Sequence, residues 1–449
     1  MKIIKIIGVV LCLTILFSSW KTAKSQNVPK QNPYAEIEKF IENNNLSNNP
    51  KLPNVRNIEI LNRGVKEYPP VDQDQLTYLQ TKPDDSPMFG SSLAVSDQYL
   101  AVGDINANRV VIYGRQADNG WLRLYEIYPP KPWFRLGRRK KPGFGYSLAI
   151  NHDVLLIQDQ DISEYLPFTP KDELLKEEIY LVSLDTTKTK SWKRLRLPKT
   201  DLYYGGLNFL EDQAALVVRN KNSSDKITSR VLLFDSITGK RLNSIEISNP
   251  DYDNLYTNDL VIDSDGKSLV IIRKEDRLIE RPPLLITKNG EIQAIKLEEQ
   301  DVSGTHRVMD SPFVEAKAVS ISNSLLAIGT DSDVTAIWER FPQPSLKGIV
   351  APMGIINSKN NDVLISNPVF THFSQRGSSD YIFVRKRENQ TIFTSDIRWS
   401  CPEKVRKGRI LGVLDKENLI LSTNGTIAVV PIEILTDSLE IYYPNCEAK

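Results

Sequence analysis

A short unit recurs along this chain: an apolar strand, a turn of Asn, Asp or Ser residues, and a second apolar strand. The pattern is typical of β-hairpins, because turn residues separate short apolar runs at regular intervals. It is clearest in SLAVSDQYLAVG (Ser92–Gly103), SLAINHDVLLIQ (Ser147–Gln158) and LNFLEDQAALVV (Leu207–Val218). Weaker copies follow at Leu260–Ile272, Ala318–Gly329, Gly354–Ser366 and Gly412–Ser422. The chain therefore contains seven such units.

Each unit continues into a predicted third strand, and often into a fourth. The third strands are Arg109–Gly114, Glu178–Asp185, Arg230–Asp235, Pro283–Thr287, Val334–Arg340, Tyr381–Lys386 and Thr426–Val430. From Phe89 to Tyr443 the units average about 51 residues, which is near the length of a four-stranded propeller blade. The short connections exclude parallel βαβ units, since a parallel crossover needs a dozen or more residues.

Burial favours a closed ring of these units. A lone four-stranded sheet cannot cover both of its faces, whereas radial stacking buries each blade against its neighbours. We therefore predict an all-β fold, a seven-bladed β-propeller of four-stranded antiparallel blades over residues 55–449, strongest at 89–127 and 142–198. Residues Val55–Gln80, including NIEILNR and QLTYLQ, are expected to add a strand to the last blade and join the ends of the ring.

The N-terminus has the pattern of a secretory signal peptide, predicted over residues 1–25. Lys2 and Lys5 precede the apolar run Ile6–Phe17, and small residues at Ala23 and Ser25 offer a cleavage site. The run is too short to span a bilayer as a helix. An uncleaved anchor is the alternative. After cleavage no transmembrane span is expected, and the protein would be secreted, periplasmic or at the cell surface.

Residues 26–54 are rich in Asn and Pro and are predicted to form a flexible tether. One short amphipathic helix is expected within it, at Tyr34–Glu42. Because such a short helix is marginal without a packing partner, a partner-binding helix is the alternative interpretation of this segment.

The segment Phe89–Ile127 (FGSSLAVSDQYLAVGDINANRVVIYGRQADNGWLRLYEI) resembles a repeat of the FG-GAP family, the blade unit of integrin-α-like propellers, in its bacterial variant. The F-G-x-S start recurs in Pro142–Ile157 and decays to YYGGLNFL in the third unit. The resemblance implies a β-propeller and says little about function, because one fold hosts many functions.

Many FG-GAP blades carry a calcium loop of the form D-x-[DN]-x-D-G between their first two strands. The corresponding turns here, such as Ser96-Asp97-Gln98, are too short to wrap an ion. Asp263–Gly266 (DSDG) comes nearest, but Asp-Gly is also an ordinary hairpin turn. Asp104-x-Asn106-x-Asn108 is a second candidate and lacks the terminal bidentate acid. We predict no metal site and no cofactor.

The sequence offers no catalytic motif. Its three histidines, His152, His306 and His372, lie outside any metal or nucleophile motif, and neither G-x-S-x-G nor a Walker sequence is present. No catalytic residue is therefore predicted. Acidic residues that follow second strands are expected on one face of the ring, either as a polar rim or as solvated turn residues; they are Asp104, Asp159, Asp161, Asp331 and Asp333.

An aromatic and basic segment, PPKPWFRLGRRKKPGFG (Pro129–Gly145), joins the first two units. It is predicted to bind an anionic glycan, a lipid headgroup or a protein, because aromatic and Arg side chains are common interface anchors. The binding residues are Trp133, Phe134, Arg135, Arg138, Arg139, Lys140 and Lys141. A solvated basic loop whose aromatic residues pack between blades is the alternative.

Cys401 and Cys446 remain after signal cleavage, and exported chains oxidise their thiols. A disulfide between them would tie the C-terminal strand to the start of the seventh unit. It would close a loop of about 45 residues.

These patterns predict an exported, non-catalytic binding or adhesion scaffold for a protein or an anionic surface ligand. The 57 Lys and Arg against 56 Asp and Glu give no global attraction to nucleic acid, which we exclude as a partner. The alternatives are a propeller enzyme acting on cell-surface polysaccharide and a structural member of an envelope complex held through Tyr34–Glu42.

Overall fold

The computed structural model describes the following parts of the chain, all within the compact unit Lys51–Lys449: residues 59–60, 69–79, 81–130, 143–159, 178–185, 192–198, 201–221, 227–247, 260–273, 282–295, 316–330, 335–340, 345–350, 355–359, 362–366, 381–386, 392–400, 411–423, 425–436 and 438–442.

These residues form β-strands almost throughout. In chain order the strands are β1 (Glu59–Ile60), β2 (Thr77–Tyr78), β3 (Phe89–Val95), β4 (Tyr99–Asp104), β5 (Arg109–Arg115), β6 (Trp121–Ile127), β7 (Phe144–Asn151), β8 (Val154–Asp159), β9 (Glu178–Ser183), β10 (Trp192–Arg194), β11 (Asp201–Leu210), β12 (Gln213–Lys221), β13 (Ile227–Asp235), β14 (Arg241–Ile247), β15 (Leu260–Ser264), β16 (Ser268–Arg273), β17 (Leu284–Thr287), β18 (Ile292–Ala294), β19 (Ala316–Ile321), β20 (Leu325–Thr330), β21 (Thr335–Glu339), β22 (Ser345–Val350), β23 (Ile355–Lys359), β24 (Asp362–Ser366), β25 (Tyr381–Lys386), β26 (Ile392–Ser400), β27 (Leu411–Leu414), β28 (Asn418–Thr423), β29 (Thr426–Pro431) and β30 (Ser438–Tyr442). Two short 3-10 helices lie at Gln73–Gln75 and Ile432–Ile434.

The described strands form seven sheets, which we number as blades in the order of their innermost strands. Blades one to six are β3–β6, β7–β10, β11–β14, β15–β18, β19–β22 and β23–β26, and blade seven is β27–β29 with β2. Consecutive strands of each blade pair in the antiparallel sense. The innermost strands contact one another in chain order, and β27 contacts β3. The prediction of an all-β propeller built from four-stranded antiparallel blades is confirmed.

Buried apolar side chains lie between the blades. One cluster, for example, joins Leu156, Leu181 and Leu195 of blade two and its exit to Leu216 and Leu232 of blade three. Corresponding clusters lie between every other pair of neighbouring blades, including blades seven and one. Both faces of each sheet are therefore removed from water, which is the stabilisation that a ring provides and a single sheet lacks.

The F-G-x-S signature has a structural role at the start of β3 and β7. Gly90 and Gly145 have φ of +85° and +84°, a conformation that favours glycine. A Cβ atom on Gly90 would lie 2.0 Å from Ser422 Oγ, and one on Gly145 would lie 2.9 Å from Val110 Cγ2. Each glycine thus produces a bulge where the innermost strand of one blade approaches its neighbour.

Two described segments that precede β3, residues 59–60 and 69–79, lie along the outer strands of three blades, and we call them the belt. β1 adds to β22 of blade five in the parallel sense, and Pro70 forms a parallel bridge to Glu440 in β30. β2 then pairs with β29 as the fourth strand of blade seven. The expected ring closure is therefore confirmed for Thr77–Tyr78 of QLTYLQ, whereas Glu59–Ile60 of NIEILNR pair with blade five and not, as predicted, with the last blade.

The C-terminal strand β30 is a fifth strand of blade six, parallel to β26, with Ser400 opposite Tyr442. The outer strands of blades five and six are thus each covered by a strand from a distant part of the chain. In the described residues, no helix is long and apolar enough to cross a membrane. The predicted signal peptide (1–25) and the tether with its helix (26–54) lie outside the described residues.

Candidate functional site: the central funnel and the outer strands

A cavity of about 400 Å³ lies at the centre of the ring. The innermost strands and their following turns line it, with contributions from all seven blades. We call it the funnel. The polar side chains of the funnel include Asp97, His152, Asn208, Asp263, Asp265 and Lys359.

Asp263 lies in β15 and joins three blades. Its carboxylate accepts hydrogen bonds from Asn208 Nδ2 at 3.0 Å, from the Ile321 backbone N–H at 2.9 Å and from Ser320 Oγ. Burial raises the pKa of Asp263 to about 6, although these hydrogen bonds favour the ionised form. As a whole residue, Asp263 is partly exposed where it lines the funnel.

Asp97 lies in the first turn of blade one and bonds to two other blades. Lys416 Nζ of blade seven lies 2.8 Å from Asp97 Oδ2, and Lys359 Nζ of blade six lies 3.6 Å from Oδ1. The hydrogen bond from Lys416 is the main reason that the pKa of Asp97 is lowered. Burial lowers the pKa of Lys359.

Asp265 completes the set of funnel carboxylates. Its Oδ2 accepts a hydrogen bond of 2.6 Å from Arg340 Nη1, and Arg340 also donates to the backbone carbonyl of Ser322. Asp97, Asp263 and Asp265 therefore each bridge two or more blades. These carboxylates link neighbouring sheets through ion pairs and hydrogen bonds.

The two calcium candidates both form turns. Asp265 Oδ1 accepts hydrogen bonds from the backbone of Lys267 and Ser268, and Gly266 has φ of +87°, as in an ordinary hairpin turn. In the second candidate, Asp104 is fully buried and bonds to Arg109. Across the described residues, no group of three or more His, Cys, Asp or Glu side chains could hold a metal ion.

The Asp104 position corrects one expectation. It is neither a rim residue nor a solvated turn residue, because it belongs to a buried ionic cluster at the opposite end of blade one. Arg109, which is 2% exposed, bonds to Asp84 Oδ2 at 2.8 Å, Asp85 Oδ1 at 2.7 Å and Glu126 Oε2 at 3.0 Å. This arrangement holds the chain between β2 and β3 against blade one.

Arg123 and Lys82 extend the same cluster. Arg123 forms a bidentate pair with Asp85, with distances of 2.7 and 2.9 Å. Burial opposes the ionisation of Glu126, but hydrogen bonds from Lys82, Tyr128 and Arg123 lower its pKa to about 2. Sequence reasoning missed this cluster, and the adjacent acids Asp84 and Asp85 before the first blade were the available signal.

Exposed apolar side chains lie on the outer parts of the ring. Among the described residues, the large ones that are exposed are Leu122, Leu124, Tyr128, Ile237, Leu242 and Ile292. They belong to blades one, three and four or to the residue following β6, and these blades gain no added strand in the described residues. Ile237, at 75% exposure, is in the hairpin turn between β13 and β14.

The predicted site residues are not among those described. Trp133, Phe134, Arg135, Arg138, Arg139, Lys140 and Lys141 lie outside the described residues, as do Cys401 and Cys446. The structure does place both ends of the aromatic and basic segment: it follows β6 of blade one and precedes β7 of blade two.

Comparison with known proteins finds distantly similar solved structures and no family. No protein-family model matches the chain, and no curated protein matches its sequence. A chain of the mitotic checkpoint complex is 11% identical with a TM-score of 0.44, covering 83% of this chain and 95% of that one. BamB from Moraxella catarrhalis is 8% identical with a TM-score of 0.40, covering 80% and 100%. A functionally unknown protein from Desulfotomaculum acetoxidans is 10% identical with a TM-score of 0.42, covering 73% and 89%. At these identities the similarities assign no function.

Proposed function

We propose that this β-propeller is an exported, non-catalytic binding scaffold that recognises a protein or an anionic surface ligand. The observation that carries the proposal is the exposure of large apolar side chains on the outer strands of blades one and three. Leu122 and Leu124 lie within one seven-residue strand, and Tyr128 follows it directly. Clustered apolar side chains on a protein surface are typical of interaction sites.

The funnel supports a structural role for its carboxylates. A glycosidase requires two carboxyl groups that face the same bond of a substrate. Asp97, Asp263 and Asp265 instead bond to lysine, amide, hydroxyl and guanidinium groups of neighbouring blades. This engagement favours a scaffold over the alternative of a polysaccharide-degrading enzyme.

Export is proposed from the N-terminal sequence. Lys2 and Lys5, the apolar run Ile6–Phe17 and the small residues Ala23 and Ser25 form the three parts of a secretory signal. Cleavage after Ser25 would remove four lysines and no acid, so the mature chain would have a net charge of −3. Such a chain needs a local basic segment to bind an anionic ligand.

The segment Pro129–Gly145 supplies that local charge. Five cations lie within seven positions, next to Trp133 and Phe134. It leaves blade one at the outer strand that also carries Leu122 and Leu124. An anionic glycan or lipid headgroup could bind these cations, while a protein partner could use the apolar side chains as well.

A retention experiment tests the proposal. The purified mature protein is applied to arrays of anionic glycans and lipids, beside a variant in which Arg138, Arg139, Lys140 and Lys141 are changed to Ser. A control variant carries Arg194→Ser and Lys267→Ser, which remove exposed cations elsewhere. Salt-sensitive retention that only the first variant loses would support recognition through this segment.

Two outcomes would contradict parts of the proposal. Equal retention of all three proteins, or retention of none, would exclude the basic segment as the anionic site and leave a protein partner. Shortening of an anionic polysaccharide by the purified protein, lost in Asp263→Asn, would contradict the non-catalytic assignment and establish the enzyme alternative.

A further inference from the structure

Blades five and six show how this ring accepts additional strands. β1 lies parallel to β22, with Glu59 opposite Gly348 and Ile60 opposite Ile349. β30 lies parallel to β26 along five residues, from Asp396 opposite Ser438 onward. In both cases the outer strand of a blade provides backbone hydrogen-bonding groups to a segment from elsewhere in the chain. The added strand is parallel each time.

The strand addition on blade five has a local marker. β22 contains a bulge, because Trp338 pairs with Leu346 and Ile337 pairs with Gly348, which leaves Lys347 between them. β1 pairs with the two residues that directly follow this bulge. Bulges increase the local twist of an outer strand and change the direction in which its edge points.

Blade three has the same bulge at the same place. Phe234 pairs with Arg241 and Leu233 pairs with Asn243, so Leu242 is the additional residue of β14. Asn243 and Ser244 therefore correspond in register to Gly348 and Ile349, the residues that accept β1. Arg241 to Ser244 are all exposed. Within the described part of the chain, β14 pairs with β13 alone.

Blade one has this bulge as well, but its edge is already engaged. Leu124 is the additional residue of β6, and Tyr125 and Glu126 follow it. Tyr125 donates a hydrogen bond to the Leu184 carbonyl, and Glu126 bonds to the Arg109 cluster. In blade three, by contrast, the two residues that follow the bulge are exposed.

We infer that β14 of blade three binds an extended segment of a partner protein as an added parallel strand, in the way that β22 binds β1. This inference rests on the proposed scaffold function and names the surface that the partner contacts. Backbone hydrogen bonds along an open edge supply affinity in this type of recognition, and side chains beside the edge supply specificity.

The side chains near β14 define the chemistry of the partner segment. Leu242 is 51% exposed and Ile237 is 75% exposed, so both offer apolar contact area. Lys240 and Arg241 are exposed on the same hairpin, and Lys193 of blade two reaches the Ile237 carbonyl. Two acids lie nearby: Asp235 accepts hydrogen bonds from Thr238 within the turn, and Glu246 is exposed toward the far end of β14. The surface therefore fits an extended segment that combines acidic and apolar residues.

A peptide-selection experiment tests this inference on the full mature protein. A display library of short random peptides is selected for binding, and the enriched peptides are synthesised. Hydrogen exchange with and without peptide then locates the protected backbone amides. We expect acidic and apolar peptides that protect residues 242–246 and bind less tightly at high salt.

Three variants distinguish the edge from other surfaces. Leu242→Asp and the pair Lys240→Glu with Arg241→Glu should each weaken peptide binding about tenfold or more, which is about 1.4 kcal/mol. Ile292→Asp, the equivalent change of an exposed apolar residue on the outer strand of blade four, should leave binding unchanged. Thermal unfolding of each variant confirms that the ring is intact.

The opposite results would overturn the inference. These are enrichment of no peptide, protection of amides elsewhere in the ring, or equal loss of binding in Ile292→Asp and Leu242→Asp. Peptide binding elsewhere would keep the proposed scaffold function while removing β14 as its site, and retention on the glycan and lipid arrays tests the basic segment independently of β14. The two proposals can therefore fail separately.

Discussion

Blades five to seven and blades one to four differ in whether a segment from elsewhere in the chain pairs with the outer edge of the sheet. β1 covers blade five, β30 covers blade six, and β2 completes blade seven. In the described residues, the sheets of blades one to four end at β6, β10, β14 and β18. In blades five to seven, segments from elsewhere in the chain extend or complete the sheet, so the chain itself occupies these edges. In blades one to four, the described residues add no further strand to these edges.

The largest effect is expected from releasing the chain where it passes from the belt into blade one. Arg109→Met would leave the fully buried Asp104 without its guanidinium partner, and it would remove one of the two arginines that pair with Asp85 and Glu126. We expect the free energy of unfolding to fall by about 3 to 5 kcal/mol, the usual cost of removing one partner of a buried ion pair. Urea unfolding monitored by tryptophan fluorescence measures it.

Arg109→Lys is the control for this prediction. Lysine keeps the charge but lacks the planar fork that contacts several carboxylates at once, so its loss of stability should be smaller. A loss below about 1 kcal/mol in Arg109→Met would mean that the cluster does not hold the entering chain.

The second-largest effect on stability is expected from the predicted disulfide between Cys401 and Cys446. β26 and β30 lie side by side with Ser400 opposite Tyr442, and Cys401 directly follows Ser400 in the sequence. Cys446 is four residues beyond Tyr442. A bond between the cysteines would stabilise the fold by about 3 to 4 kcal/mol in the loop-entropy model. Peptide mapping without reductant detects it, and thermal unfolding with and without reductant measures its effect.

The double variant Cys401→Ser, Cys446→Ser is the matched control, because its unfolding temperature should not respond to reductant. Labelling of both thiols in the native, air-oxidised protein would contradict the predicted bond.

A pair of leucine changes compares the belt with an open edge directly. Leu79 is 4% exposed between blades seven and one, and its backbone N–H donates to the Ile427 carbonyl at 3.0 Å. Leu79→Ala should cost about 2 to 4 kcal/mol through lost burial and a cavity. Leu242→Ala, on exposed β14, should change stability by less than about 0.5 kcal/mol. Similar losses in both variants would show that β14 is structurally covered.

The smallest effect is a pH dependence of stability that has opposite signs for Asp263 of blade four and Glu126 of blade one. Burial raises the pKa of Asp263 from 3.8 to about 6, so the native state holds this proton more tightly than the unfolded state. Its contribution therefore destabilises the fold as pH rises from about 4 to about 6. Partial exposure reduces the effect to about 1 to 2 kcal/mol. The difference in unfolding free energy between wild type and Asp263→Asn should fall over this range.

Glu126→Gln is the contrasting variant in blade one. The pKa of Glu126 is lowered from 4.5 to about 2, so its stabilisation is present above pH 4.5 and is lost as pH falls toward 2. The difference between wild type and Glu126→Gln should therefore rise with pH. The same slope in both variants would contradict these assignments.

The strands and turns of the ring were predictable because their signals are local. Each hairpin such as Ser92–Gly103 contains its own apolar runs and its own turn residues, and Gly90 and Gly145 mark the bulges that begin two blades. The funnel ties were not predictable. Asp263 and Ser320 are 57 residues apart, and Asp97 and Lys416 are 319 apart. The sequence carries no signal for which of many charged turn residues will meet.

The belt shows the same limit in backbone pairing. The prediction that QLTYLQ joins the ends of the ring is correct, because β2 pairs with β29 of the last blade. The pairing of Glu59 with Gly348 and of Ser438 with Asp396 was missed. An edge strand exposes hydrogen-bonding groups that any extended segment can satisfy. The partner is then chosen by geometry and not by residue type.

The sequence by itself determined that this chain is all-β, that its strands come in repeating antiparallel hairpins, and that these must stack radially to bury both faces. The reason is that turn chemistry and apolar alternation act over a few residues. Only the tertiary structure decided which outer strands the chain covers, which carboxylates tie neighbouring blades, and that β14 remains accessible in the described part of the ring. Those outcomes depend on which distant residues the closed ring brings together.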